Sequence, residues 1–505
     1  MTTTEPNGDM RPRSGDDPDD GAGRGTGLTS QALRAFLWAV ASFGASKTLN
    51  FVGTLILARI LVPEHFGLVA AGLALVTYFE MALDLGVGSA VIYEQEGGIT
   101  ERVHTAFTLN IALGVLFAAI GMLLAPLVAA FFQAPDETAV FRAMFIYLFV
   151  RAAGQVPDAV LRRDLDFRRR LLADLSRAGL RLGVSVPLAL AGMGAWSIVI
   201  GMIVGEAVGT VVTWFAARFR PSLRFDRAAV RTLLGYGMSM LGVRLVSELS
   251  QHGDQLIVGN RLGPDQLGVY SIAYRVPELV LATVFWLYSM VAFSVYSRAG
   301  ATDPSKLKSA MLRAIRLTTL FAFPAGIGLA IVSHDAIHVL FTDRWEGAIL
   351  PMALIALAFA VGSVSVASGD VLPSIGQPRI LLTINAALLP PLLVGMVLAA
   401  PYGLTAVALV QLVGTVVYIP LLQRYVNRAL GSSVAEVLVA VRPAVSATLG
   451  VIVAAGSVRL LVDEGLFRLV ATIVTGGLGA MIGVLVGGRD VLADVRSLLR
   501  QAVRR

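Results

Sequence analysis

The sequence predicts an all-α polytopic membrane protein with about fourteen transmembrane helices, two parallel six-helix bundles followed by two more helices. Of 505 residues, 56% are hydrophobic and 15% charged, and the mean hydropathy is +0.74. Water-soluble domains do not have such a composition. Apolar runs long enough to span a bilayer follow one another from residue 35 to residue 487. A short motif in the first of these runs returns in the middle of the chain.

The repeated motif is a hairpin at which one apolar run ends and the next begins. ILARILVPEHFGLV occupies residues 56–69 and IVGNRLGPDQLGVY occupies residues 257–270, so that Pro63 corresponds to Pro264 at an offset of 201 residues. In each copy a proline and an acidic residue make a tight turn, and a glycine opens the next apolar run. The pattern predicts an internal duplication, and the alternative is a convenient turn used twice.

The predicted spans divide the chain into five parts. They are 35–58, 66–92, 104–132, 139–161, 172–192, 195–217, 233–258, 267–296, 311–333, 347–368, 379–400, 403–423, 437–461 and 466–487. We expect a disordered cytoplasmic tail (1–31), an N-terminal bundle (32–231), a C-terminal bundle (232–430), helices 13 and 14 (431–487) and a basic amphipathic tail (488–505). The last segment is expected to lie on the cytoplasmic membrane surface, or else to be a solvated tail.

Lysine and arginine residues predict the orientation. Basic loops at 162–170, 218–231 and 298–316, together with the tail from residue 489, fall on one side of the membrane. The positive-inside rule makes that side cytoplasmic, so both termini are cytoplasmic and both hairpins face outward. Six spans separate the two hairpins, which gives the halves the same orientation and predicts a pseudo-twofold axis along the membrane normal.

Composition and motifs argue against several other functions. The chain has no cysteine and five histidines without an HExxH motif, so we expect neither a disulfide nor a metal site. The positive-inside rule explains the net charge of +7, so no nucleic-acid partner is expected. There is no GxSxG or Walker motif, and no cofactor or enzymatic activity is expected. The longest extracytoplasmic loop, 333–347, is short for a membrane glycan polymerase.

Ionisable side chains recur inside the predicted spans, where each costs about 2.5 to 3.5 kcal/mol. The polar residues expected at depth are Lys47, Asn50, Glu80, Asp84, Arg151, Gln155, Asp158, Glu206, Arg244, Glu248, His252, Arg275 and Glu278. Predicted spans 3, 5, 11 and 14 are, by contrast, nearly free of ionisable groups at depth. This distribution predicts a wet cavity between the two halves.

For each interior charge a structural role competes with a functional one. Lys47 has no carboxylate one turn away in its own span, which favours a role toward an anionic ligand. Glu80 and Asp84 are like charges one turn apart, so one of them could carry a proton or bind a cation; the alternative is pairing with a neighbouring arginine. Arg244 and Glu248 could equally form an ion pair that fixes helix packing.

Several motifs in order resemble a known family. They are LARILVPEHFGLVA (57–70), DLGVGSAVIYEQ (84–95), RRDLDFRRR (162–170), GAWSIV (194–199), the second hairpin region (254–277) and RWEGAILPMALIALA (344–358). Together they resemble the polysaccharide transporter family of Wzx-type lipid-linked oligosaccharide flippases. That family belongs to the multidrug/oligosaccharidyl-lipid/polysaccharide exporter superfamily.

The resemblance implies a V-shaped pair of bundles in the inner membrane, around a central cavity. It implies alternating access, driven by Na⁺ or H⁺, that moves an undecaprenyl-pyrophosphate-linked glycan to the outer leaflet. Membrane lipids, a polysaccharide polymerase and the export machinery are the implied partners. A multidrug or lipid II exporter is the alternative within transport, and a membrane glycan polymerase or scaffold is the alternative outside it.

The same resemblance implies roles for individual interior residues. Cationic cavity residues for the pyrophosphate and sugar would be Lys47, Arg151, Arg244 and Arg275. Ion-coupling or cavity polar residues would be Glu80, Asp84, Asn50, Asp158, Glu206, Glu248 and His252.

Overall fold

The computed structural model describes residues 44–83, 99–164, 166–222, 226–285 and 304–487, and the positions 38, 288, 289, 292 and 296. The predicted tails 1–31 and 488–505 lie outside the described residues. Within these ranges every regular element is a helix, and eleven helical segments are long and apolar enough to cross a membrane. The chain is therefore an all-helical, multi-pass membrane protein.

The first half of the described chain contains six helices. They are α1 (44–60), α2 (Pro63–Leu83), α3 (Ile99–Phe131), α4 (Thr138–Arg163), α5 (Phe167–Leu190) and α6 (Ala195–Ala216). Helix α5 begins five residues before the predicted span 172–192, because the Asp166 carboxylate caps it by accepting a hydrogen bond from the Arg169 amide at 3.2 Å.

The second half begins with a long broken helix. The helices are α7 (Arg227–Pro277), α8 (Pro304–Leu340), α9 (Ile349–Gly369), α10 (Pro378–Ala399), α11 (Leu404–Leu430), α12 (Val434–Leu461) and α13 (Leu466–Gly487). Gly263, with φ 81° and ψ 176°, separates α7 into two arms, which correspond to predicted spans 7 and 8. A π-helical segment, Glu278–Ala282, extends the second arm.

The two copies of the repeated hairpin pack directly against each other. A Cβ atom added to Gly67 would lie 1.6 Å from the Pro264 carbonyl oxygen, and one added to Gly268 would lie 1.9 Å from the Pro63 carbonyl oxygen. The contact is reciprocal at the 201-residue offset, as in an interface between two equivalent units. We call this end of the molecule, where residues 63 and 264 meet, the hairpin end.

The buried apolar core is shared at the hairpin end and divided at the opposite end. One cluster joins Phe66 of the first half to Tyr270 and Trp345 of the second, with the Phe66 and Trp345 rings edge to face at 5.2 Å. At the opposite end, Phe107 packs in a separate cluster of the first half. Another cluster forms there between the start of α8 and the end of α11.

Helices α12 and α13 form a close pair that packs on α8. A Cβ atom on Gly450 would lie 2.0 Å from the Gly479 carbonyl oxygen, so the two backbones touch. Arg468 of α13 is buried and binds Asp335 of α8, with Nε 3.1 and 3.0 Å from the two carboxylate oxygens. Arg468 is the third residue of α13, near the end of predicted span 14, and its ion pair with α8 compensates its burial.

Candidate functional site

The first group of interior charges lies among α2, α4, α5 and α6. Glu206 is buried, and its carboxylate oxygens lie 3.1 Å from Arg151 Nη1 and 2.9 Å from Arg177 Nε. Arg151 also lies 3.8 Å from Glu80, and Arg177 Nη1 lies 3.0 Å from Asp174. Carboxylates and guanidinium groups alternate through this network, so the interior charges compensate one another. Pairing with a neighbouring arginine was one of the roles predicted for Glu80, and the structure places Arg151 in that position.

Glycines of α6 bring the arginines of α5 into this network. A Cβ atom on Gly205 would lie 2.7 Å from the Arg177 carbonyl oxygen and 3.0 Å from Arg181 Cβ, and one on Gly209 would lie 2.9 Å from Arg177 Cβ. This GxxxG spacing lets two helices approach closely and fixes their register. The prediction that span 5 is nearly free of ionisable groups was wrong. A hydropathy scale assigns Arg177 only the free-energy cost of burying a charge. It does not include the ion pairs that Arg177 forms with Glu206 and Asp174.

The second group joins the two halves. Lys47 Nζ of α1 lies 2.9 Å from Glu278 Oε1, and Arg275 Nη1 lies 3.9 Å from Glu278 Oε2. Lys47 stands thirteen residues before the end of α1, about 20 Å along the helix from the hairpin end. By the 201-residue offset Lys47 corresponds to Glu248 of the second half, but the ion pair in the structure joins Lys47 to Glu278. Two equivalent residues of the halves can touch only where both lie close to the twofold axis, as Gly67 and Gly268 do in the hairpin contact.

Asp158 pairs with two arginines of the basic segment 162–170. It stands near the end of α4, and its carboxylate oxygens lie 3.0 Å from Arg162 Nη2 and 3.0 Å from Arg170 Nε. The carboxylate thus links the end of α4 to the first turn of α5 at Arg170.

The remaining predicted residues are dispersed. Asn50 donates a hydrogen bond of 2.8 Å to a backbone carbonyl four residues earlier in α1. Glu248 Oε1 lies 3.8 Å from His252 Nε2 on the same helix. Arg244 lies on α7, but its side chain falls outside what the structure describes, as does Asp84 altogether. The structure therefore brings together Lys47 with Arg275, and Glu80 with Arg151 and Glu206.

Sequence reasoning missed two interior groups. Arg181 is half-buried on α5, and its local signal is the Arg-x₃-Arg spacing opposite the glycines of α6. Asp254 is buried and accepts a hydrogen bond from the Tyr270 hydroxyl at 2.9 Å and another from the Tyr274 hydroxyl. These bonds connect the two arms of α7 across the break at Gly263. The sequence signal for this group was the i, i+4 spacing of Tyr270 and Tyr274, which places both hydroxyls on one face of the helix.

Comparison with known proteins identifies the family. A family model described as polysaccharide biosynthesis protein matches residues 56–350, which is more than half of the chain. The chain belongs to this family. The predicted family is thereby confirmed, since the relatives named below include a succinoglycan biosynthesis transport protein and the lipopolysaccharide biosynthesis protein WzxC.

Three bacterial relatives cover most of the chain. The succinoglycan biosynthesis transport protein ExoT of Rhizobium meliloti (strain 1021) is 27% identical over 64% of this chain and 65% of that protein, slightly less than two thirds of its length. The lipopolysaccharide biosynthesis protein WzxC of Escherichia coli (strain K12) is 23% identical over 77% of this chain and 80% of that protein. The teichuronic acid biosynthesis protein TuaB of Bacillus subtilis (strain 168) is 24% identical over 69% of this chain and 72% of that protein.

Solved structures share the fold. The lipid II flippase MurJ in an inward closed conformation gives a TM-score of 0.73 at 14% identity, over 90% of this chain and 99% of that one. An inward-facing multidrug resistance MATE family transporter gives 0.63 at 15% identity, over 77% of this chain and 96% of that one. At such low identity these similarities establish the fold alone.

Proposed function

We propose that the protein is a flippase that moves an undecaprenyl-pyrophosphate-linked oligosaccharide repeat unit from the cytoplasmic to the outer leaflet for polysaccharide export. The names of its relatives support this substrate class, because they refer to succinoglycan, lipopolysaccharide and teichuronic acid biosynthesis. An inner-membrane location with both termini cytoplasmic belongs to the same proposal.

The observation that carries the proposal is the division of the core. The halves share one apolar cluster at the hairpin end and have separate clusters at the other end, and the Lys47–Glu278 ion pair joins the two halves. Two six-helix bundles that diverge in this way enclose a V-shaped cavity. The basic segment 162–170 lies at the end of α4 opposite the hairpin end, so the positive-inside rule turns the open end toward the cytoplasm.

Alternating access follows from this geometry. Substrate enters between the halves from the cytoplasmic side, the halves close behind it, and the hairpin contact opens on the other side. The Lys47 and Glu278 ion pair spans the gap and rearranges as the halves move. Na⁺ or H⁺ supplies the driving force, and the candidate carboxylate is Glu80, which stands 3.8 Å from Arg151. The product then passes to a polysaccharide polymerase and export machinery.

Deletion of the gene tests the proposal through the lipid-linked intermediates. We expect complete repeat units to accumulate on the cytoplasmic side, where they are protected from a membrane-impermeant glycosidase in intact cells. A plasmid copy of the gene should restore export. Accumulation on the outer side would assign a polymerase instead. Arrest of cell-wall synthesis would assign lipid II as the substrate. Unchanged polysaccharide and intermediates would exclude a role in this export.

A further inference from the structure

Two histidines lie close together in the last two turns of α8, at the hairpin end. His334 and His338 belong to the segment HDAIH, and their ring centres are 4.5 Å apart, with the ring planes at 49° to each other. The side chains are 33% and 29% exposed, so solvent reaches both rings. Two histidines four residues apart lie on one face of a helix, which is how an HExxH helix binds a metal ion.

The contacts of the two rings leave the same nitrogen of each available to a ligand. His338 Nδ1 lies 2.7 Å from Asp343 Oδ1, and because a carboxylate only accepts, Nδ1 carries the proton and Nε2 has the free lone pair. Metal-binding histidines are typically oriented by a carboxylate in this way. His334 Nδ1 is buried 3.7 Å from Asp335 Oδ1, which leaves Nε2 as the accessible nitrogen of that ring.

The separation of the two rings indicates which metals fit. A metal–nitrogen distance of about 2.1 Å places the centre of an imidazole ring about 3.2 Å from the metal. Two ring centres 4.5 Å apart then subtend an angle of about 90° at the metal. Tetrahedral Zn²⁺ requires about 109°, whereas neighbouring ligands of tetragonal Cu²⁺ or Ni²⁺ are about 90° apart. The rings therefore fit Cu²⁺ or Ni²⁺ better than Zn²⁺.

The residue between the histidines argues against a hydrolytic site. HDAIH has Asp335 at the position where HExxH has the glutamate that acts as general base. Asp335 is buried and bound by Arg468, whose Nε lies 3.1 and 3.0 Å from the two carboxylate oxygens. A carboxylate held in this way cannot activate a water molecule. The absence of HExxH led us to expect no metal site, but HDAIH has the same histidine spacing.

The histidine pair is connected to the contact between the halves. Asp343 begins the short helical segment Asp343–Ala348, which contains the buried Trp345. Trp345 Nε1 donates a hydrogen bond of 2.9 Å to the Ala58 carbonyl of the first half. A metal ion on Nε2 of His338 polarises the imidazole and strengthens the hydrogen bond from its Nδ1 to Asp343. Metal binding would thereby hold the segment that carries Trp345 in its closed position.

We propose that His334 and His338 chelate one divalent transition-metal ion, Cu²⁺ or Ni²⁺, and that the bound ion stabilises the closed hairpin end. No group of three metal-ligating side chains occurs among the described residues, so water fills the other coordination positions. The inference is independent of the proposed function, because it concerns the contact between the halves and not the transported molecule.

Metal titration of the purified full-length protein tests the site. The protein is prepared without a histidine tag, in lipid nanodiscs, and isothermal titration calorimetry measures binding of NiCl₂, ZnCl₂ and MgCl₂. The variants are His334→Gln, His338→Gln and Asp343→Asn. His104→Gln is the control, because this histidine lies on α3 at the opposite end, where its ring centre is 5.8 Å from that of Phe219.

We expect the wild type to bind one Ni²⁺ per chain, and each substitution in the histidine pair to weaken binding at least tenfold. Asp343→Asn should weaken it about tenfold, because the carboxylate orients His338. His104→Gln should bind Ni²⁺ as the wild type does. Zn²⁺ should bind more weakly than Ni²⁺, and Mg²⁺ should not bind, because it prefers oxygen ligands.

Thermal unfolding measures the second part of the proposal. Ni²⁺ should raise the unfolding temperature of the wild type and of His104→Gln, but not that of His338→Gln. If His338→Gln does not yield folded protein by size-exclusion chromatography, His334→Gln replaces it in both measurements.

Three outcomes would overturn the proposal. Unchanged Ni²⁺ affinity in His334→Gln and His338→Gln would show that the metal binds elsewhere. Tighter binding of Zn²⁺ than of Ni²⁺ would contradict the ligand angle of the two rings. Binding of Ni²⁺ without a change in unfolding temperature would reject the effect on the hairpin end.

Discussion

Lys47 belongs to the first half of the molecule and Glu278 to the second, so their 2.9 Å ion pair breaks whenever the halves separate at that depth. Both side chains are about two-fifths exposed, at 40% and 38%, which limits the stability that the pair contributes. The ion pair has a more important effect on Arg275, because the Glu278 carboxylate lies beside both Lys47 and Arg275.

Lys47→Ala is expected to abolish or strongly reduce polysaccharide export while the protein still folds. Without Lys47, Glu278 is free to pair with Arg275 and to compete with an anionic ligand. Surface polysaccharide measures export, and size-exclusion chromatography in detergent measures folding. The double variant Lys47→Ala with Glu278→Gln should recover part of the export, because the competing carboxylate is gone. Normal export in Lys47→Ala would refute the assignment of this pair to the cavity.

Arg468→Ala is expected to destabilise the protein by about 3 kcal/mol, because it leaves the buried Asp335 carboxylate without its partner. Thermal unfolding in detergent would measure the change. Arg459→Ala is the control, since this exposed arginine of α12 donates only one 2.7 Å hydrogen bond to a carbonyl of α8. Its loss should cost about 1 kcal/mol or less. Equal effects of the two substitutions would show that the buried pair has no special role.

At the level of elements, the contact between the hairpins depends on the absence of side chains. Gly67→Ala should force the hairpins apart, because its Cβ would lie 1.6 Å from a backbone oxygen that has no rotamer to change. We expect a lower unfolding temperature and loss of export. Gly183→Ala is the matched control, since a Cβ at this helical glycine of α5 meets nothing within 4 Å. That substitution should leave stability unchanged or raise it by up to about 1 kcal/mol. Wild-type stability in Gly67→Ala would mean that the hairpins do not touch.

Local patterns predicted the elements better than the pairing of their charges. Proline, an acidic residue and glycine at fixed spacing define the hairpins, so their turns could be read from the sequence. The partner of Lys47 comes from 231 residues away, and no local spacing indicates it. Arg177 and Arg181 reduce the apparent hydropathy of α5, which hid their interior position. The structure is needed to show that Glu206 forms an ion pair with Arg177 and not with Arg181.

At the scale of the whole molecule, contacts between the halves seal the hairpin end. Besides the glycine contact, Trp345 Nε1 donates to the Ala58 carbonyl at 2.9 Å, Arg59 Nε donates to the Leu340 carbonyl at 3.2 Å, and Asn260 Nδ2 donates to the Phe131 carbonyl at 2.8 Å. Each bond has one partner in the first half and one in the second. All of them must break if a substrate leaves at this end.

Cross-linking the hairpin end tests whether it opens during transport. The sequence contains no cysteine, so a pair introduced by Gln133→Cys and Asn260→Cys has no competing thiol. The Gln133 side chain donates to the Asn260 backbone carbonyl, which places the two positions within reach of a short bifunctional methanethiosulfonate reagent. We expect the cross-link to stop export and a reductant to restore it.

A second pair, Ser368→Cys with Gln423→Cys, is the control. These side chains are 2.8 Å apart on α9 and α11, within the second half alone. Cross-linking them holds together helices that move as one unit in a rigid-body exchange between two states, so export should continue. If the control pair also stops export, the second half itself must deform. If export survives the cross-link at the hairpin end, the substrate leaves without separation of the hairpins.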